Sequence, residues 1–405
     1  MEPPRRTLPS LHQIKTAIKD FQRSPGSASI FALQDIMALV YLPEHFDILK
    51  GSMIQACLIV LRQSASRGNI VGDEISVLAL QVLCFSISTA VLVRSNWLKG
   101  FLRSLESQRD RGMLPDEQID VSMQLVSWLS INMGDIMSRG TQDLNHGLAA
   151  PHTLFGFEDG EPRPDTPVCL PEIGGFDRYH AQFLIKHLWR DRKYLMKTFQ
   201  DVFLPGMSVL IHILWKHLEF MDETPEPVLA MQLCEIVIRY SLVCVSYEDV
   251  VMQRHYRELR NYAKDPKRSR VIDRDDLAMV VSCFVLKLAP PPLFPGAPTQ
   301  IPLDYALELM EVMVNDVNEA KEYALCQPLQ IAGFTRVWFD LEKIPKDANI
   351  KWTDIIPFTF IMLKITEYFY LYYLPILMTL MFDIPGSISI KQDNLDERIS
   401  ILALL

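Results

Sequence analysis

The stretch DEISVLALQVLCFSISTAVLV, residues 73–93, decides the fold. It is apolar almost all round a helical wheel, with Val77-Leu78-Ala79-Leu80 and Val82-Leu83-Cys84-Phe85 as unbroken blocks, and it lacks the strict alternation of a half-buried strand. A helix without a polar face needs cover on several sides, so it has to lie among other helices. Asp73 stands where its carboxylate can cap the first turn.

Outward from this segment, EHFDILKGSMIQACLIVLR, residues 44–62, places Phe46, Leu49, Met53, Ala56 and Val60 at three- and four-residue steps. That stripe predicts a one-sided helix starting behind Pro43. The polar SASRGN at 64–69 reads as the turn between the two helices. This order of amphipathic helix, turn and inner helix resembles armadillo or HEAT-like repeats in pattern. The resemblance implies stacked hairpins that build an extended binding surface, although no repeat consensus or fixed period runs through the chain. The expected fold is all-α: stacked helix hairpins, as an armadillo/HEAT-like superhelix or a two-lobed helical array.

The rest of the chain sorts in the same way. A helix over 116–138 follows Pro115 and completes an N-terminal lobe at 1–139, with Met123, Val126, Met133 and Met137 on one side and Leu125, Trp128 and Leu129 beside them. Between 140 and 175, eleven of thirty-six residues are Gly or Pro, which predicts a linker or mobile loop before a central helical region at 176–288. Within that region, 226–245 is a second inner helix whose two charges, Glu235 and Arg239, are spaced for a helical ion pair. The mixed-charge 247–262 reads as an outer helix, and PPPLFPGAP at 290–298 ends the apolar run before it. A C-terminal helical region, 289–405, contains a helix opened by Pro302. There Leu303, Ala306, Leu307, Met310, Met313, Val314 and Val317 face one way, and Asp304, Glu308, Glu311 and Asp316 the other.

Composition narrows the function. Apolar residues make up 49% of the chain, enough for a large core, and a formal net charge of -9 argues against a nucleic-acid partner. Seven cysteines are scattered without a C-x-x-C or zinc-type spacing, so reduced thiols in a cytoplasmic or nuclear protein are expected, with no cofactor. The N-terminal MEPPRRTLPS lacks the apolar core of a signal peptide.

Lys186, Arg190, Lys193 and Lys197 fall at steps of four, three and four, four cations on one helical face over about 16 Å. Such a face suits a protein partner, acidic or phosphorylated. His212 and His217 are five apart and cannot share a metal ion, and His180 and His187 are separated by two turns. The carboxylates of DRDD (Asp273, Asp275, Asp276) and NDVNE (Asp316, Glu319) do not meet the magnesium-binding pattern of class I terpene synthases and read as outward-facing charges. The apolar segment 355–382 is long enough to span a bilayer, but Lys364 and Glu367 interrupt it. The expectation is a non-enzymatic helical scaffold or adaptor, with a membrane-associated protein anchored through 355–382 as the alternative.

Overall fold

The computed structural model describes residues 8–49, 52–94, 97–115, 119–132, 178–219, 227–262, 271–288, 301–325, 327–329, 331–333 and 336. Among the described residues 82% are helical and none is in a strand, so the fold is all-α. The segments 140–175, 290–298 and 355–382, with Cys169 and Cys326, lie outside them. Two compact units divide the chain, Met1–Leu325 and Cys326–Leu405. In the second, the described residues form short helical turns at 327–329 and 331–333.

The first unit begins with α1 (Leu11–Arg23), α2 (Ile30–Met37), α3 (Ser52–Arg67), α4 (Glu74–Arg94), α5 (Leu98–Asp110) and a helix α6 over 122–132. It continues with α7 (Arg178–Arg190), α8 (Arg192–Asp201), α9 (Met207–Glu219), α10 (Pro227–Ser241), α11 (Ser246–Arg260), α12 (Arg274–Leu288) and α13 (Leu303–Ala320). Helices on both sides of 140–175 pack together within this unit.

α4 is the inner helix that 73–93 predicts. Asp73 caps it, its Oδ1 accepting the Ser76 amide at 2.8 Å. α2, α3, α5 and α9 cover it, and residues 82 to 89 are all buried. Three of its small polar residues bond within the protein: Ser88 Oγ donates to Cys84 O, Thr89 Oγ1 to Ser86 O and Ser76 Oγ to Ser64 Oγ. Among the described residues Glu74–Val93 is the one helix long and apolar enough to cross a membrane, and 72% of its most apolar window is buried inside the protein.

The helix expected over 44–62 is corrected. Pro43–Ile48 is a 3-10 turn in which His45 leaves helical geometry, and α3 starts at Ser52 and runs on through Arg67. Gly51 is a poor helix former, whereas Ser-Ala-Ser-Arg after Gln63 costs a helix little. Phe46 nevertheless keeps its inward role. Its ring meets Phe85 of α4 edge-on at 5.2 Å and stacks on Phe101 of α5 at 6.1 Å, and Phe101 meets Trp128 of α6. One aromatic column thus ties four segments together, each ring pair adding about 0.5–1.5 kcal/mol beyond its buried area.

α10 is the second inner helix. α7, α8, α9 and α11 surround it, and every residue from Leu229 to Ser241 is buried, charges included. α13 buries Ala306, Met310, Met313, Val314 and Val317 as predicted. Asp316, expected outside, is buried as well. Asp304 and Glu308 are not simply solvated: they hold Arg257 of α11 at 2.8 and 2.6 Å, and Glu308 also takes Arg260 at 3.2 Å.

Where α4 meets α9 the backbones come close. Gly206 has φ 93°, and a Cβ there would overlap Ser88 Oγ and lie 2.6 Å from Cys84 O. Only glycine meets both conditions without strain. Gln81 Nε2 reinforces the contact by donating to Phe203 O at 3.0 Å.

Candidate functional site

Three groupings of polar side chains stand out, two inside and one at the surface. The first is built on α10. Glu235 and Arg239 do form the ion pair their spacing predicts, at 3.3 Å, but they lie in the interior and gain partners from distant sequence. Asp276 of α12 takes Arg239 through two parallel bonds of 2.8 and 2.7 Å, and its Oδ2 also accepts the Ile272 amide. Glu235 receives Trp189 Nε1 at 2.8 Å and lies 2.8 Å from Arg192 Nε, while the Arg192 guanidinium stacks 4.3 Å over the Trp189 ring. Burial opposes the charge on Arg239, yet the hydrogen bond to Asp276 and the nearby Glu235 carboxylate outweigh it and hold its pKa above the usual arginine value.

The outward reading of DRDD holds for Asp273 and Asp275, which are exposed, and is corrected at Asp276. Asp273 caps α12 by accepting the Asp276 amide at 2.8 Å, whereas Asp276 itself is fully buried. Three residues on from the cap, Asp276 instead reaches Arg239 of α10.

The second grouping sits at the α10–α11 corner. Lys287 of α12 reaches in to Asp249 at 2.6 Å and donates to Cys244 O at 2.7 Å, with Cys244 Sγ 3.4 Å from both its Nζ and Asp249 Oδ1. Beside it Glu248 accepts Tyr240 OH at 2.7 Å. Burial drives the Glu248 carboxyl and the Cys244 thiol upward, which keeps the thiol protonated. Residues 247–262 read as an outer helix on composition; in the structure α11 exposes Tyr247, Val250, Arg254 and Arg257 but turns Glu248, Asp249 and His255 inward.

The third grouping is the predicted basic face. α7 ends at Arg190 and α8 starts at Arg192, so Asp191 breaks the continuous helix that the spacing assumed. At the break the Asp191 carboxylate is buried, accepting the amide of the distant Ile70 at 2.8 Å and pairing with Arg190 Nε at 2.9 Å. Arg190 also donates to Gly68 O at 2.7 Å, clamping the α3–α4 turn. Lys193 is bonded to both oxygens of Asp273, at 2.9 and 2.7 Å. Lys186 and Lys197 are exposed, in company with exposed Tyr179 and Tyr194. Two of the four cations thus fix the face to α3–α4 and α12, and two point to solvent.

The histidines do not pair as sequence neighbours. His212 of α9 instead faces His255 of α11, ring centroids 5.3 Å apart. Among the described residues no group of three or more His, Cys, Asp or Glu could hold a metal ion. Cys57, Cys84, Cys234, Cys244 and Cys283 are buried thiols outside any disulfide.

No family model, curated protein or solved structure matches the chain.

Proposed function

We propose that the chain is a non-enzymatic helical scaffold that binds an acidic or phosphorylated protein segment through the exposed face of α7 and α8. The observation that carries this reading is how the polar side chains are engaged. Inside, Glu235, Asp276, Asp249 and Glu248 are each held by donors of the chain itself, which favours a structural role for them over a reactive one. At the surface, Lys186 and Lys197 flank two cations that are anchored to neighbouring helices, so the face offers charge on a support with little freedom to lose on binding.

The test is a double charge reversal, Lys186→Glu/Lys197→Glu, compared with wild type by quantitative proximity labelling. Both side chains are exposed, so folding is expected to be unchanged and the labelling of specific partners to fall tenfold or more, that is, by about 1.4 kcal/mol. An unchanged set of partners contradicts the proposal.

A further inference from the structure

His212 of α9 and His255 of α11 are more than forty residues apart in sequence and meet in the core of the first unit, with ring planes tilted by 34°. Their relative exposures are 6% and 0%. His212 Nδ1 and both ring nitrogens of His255 lack a hydrogen-bond partner. A buried imidazole without an acceptor has nothing to stabilise a second proton. The charges that act on the rings come from α9 and α11 themselves, and most are of the wrong sign: Lys216 on α9 and Arg254 on α11. Glu258 Oε2 is 4.0 Å from His255 Nδ1, but it already accepts Trp215 Nε1 at 2.8 Å, and Glu258 Oε1 takes Arg254 at 3.1 Å. Among the described residues no charge from α4, α7 or α10, the other helices packed on α9, is among those acting on the pair.

We propose that the His212–His255 pair makes the α9–α11 seam an acid-sensitive latch, closed while both rings are neutral and opened when either takes up a proton. Protonation would place a buried cation against the other imidazole, Lys216 and Arg254, and separating the helices is the way to return it to water. Burial, then these neighbours, hold His255 down to about 3 and His212 well below the ordinary 6.5. The sign follows. Above 6.5 neither the closed nor the open form binds the proton. Below it the open form binds a proton that the closed form refuses, and closure weakens by about tenfold per pH unit for each histidine until the closed-form pKa is reached. His255 alone therefore gives about fifteenfold between pH 6.5, where the open form is already half protonated, and about pH 5. Glu248 and Asp249, also on α11, have raised values and act in the opposite direction over acid pH, so the histidine effect is read as a difference between proteins that share them.

The experiment is amide hydrogen exchange on the full chain at both pH values, comparing wild type with His212→Leu/His255→Phe. Protection of α9 and α11 in wild type is expected to fall at least about fifteenfold further than in the variant. Equal pH dependence in the two proteins overturns the latch. Should the variant fail to fold, the imidazole Cε1–H resonances of wild type decide the matter. Two rings that stay neutral until the seam opens support the latch, and rings that titrate at the ordinary value inside the closed protein overturn it.

Discussion

α4 and α10 are both surrounded helices, yet they achieve burial by opposite means. α4 buries Leu80, Val82, Leu83, Phe85 and Ile87, and the hydroxyls of Ser76, Ser88 and Thr89 close onto its own backbone or onto α3. α10 buries Glu235 and Arg239 in the same kind of position and relies on Trp189, Arg192 and Asp276 to supply partners. An apolar helix can settle against any apolar neighbour of suitable shape. A helix carrying paired charges accepts only neighbours that complete the pairing, so the network on α10 dictates where α8 and α12 dock. This registry role is the best-attested use of buried ions, whose net contribution to stability is commonly small.

The comparison can be broken from either side, and the largest effect is expected on α10. Asp276→Ala leaves the Arg239 guanidinium buried beside a single carboxylate that it shares with Arg192, and should lower the unfolding free energy in urea by about 3–5 kcal/mol. On α4, Leu83→Ala removes a fully buried side chain and should cost about 3 kcal/mol by the same measurement, through lost burial and the cavity left behind. The close approach of α9 to α4 predicts a further loss for Gly206→Ala: about 1–2 kcal/mol for the left-handed backbone alone, with the overlap on Ser88 Oγ in addition. A Ser88→Ala/Gly206→Ala double variant should recover only the part due to Ser88 Oγ and leave the backbone component and the close contact with Cys84 O.

These two helices also mark what could be read from sequence. The inner position of α4 is written in its composition, because no helical face is left for water. α10 is equally legible as a helix, and Glu235–Arg239 as a pair, but its ion network is not, since Arg192 and Asp276 lie tens of residues away. Asp276 in DRDD carries no local sign that it turns inward while Asp273 caps. The basic face shows the converse limit: Lys186, Arg190, Lys193 and Lys197 have ideal helical spacing, but an aspartate embedded among them breaks the helix by binding the Ile70 amide. At α11, mixed charge suggested an outer helix, and Glu248 and Asp249 became buried because Tyr240 and Lys287 meet them from α10 and α12. Hydrophobic period therefore located the helices. The partners of polar residues depended on contacts between distant helices, which period does not encode.

The central claim is that the charges on α10 serve docking and registry. It is tested most directly by the urea unfolding free energy of Arg239→Met/Asp276→Leu, which replaces the buried pair with apolar side chains and leaves Glu235 with Arg192 and Trp189. The account predicts a value within about 1 kcal/mol of wild type, or higher, although Asp276→Ala alone is strongly destabilised. A loss as large as that of Asp276→Ala would contradict it.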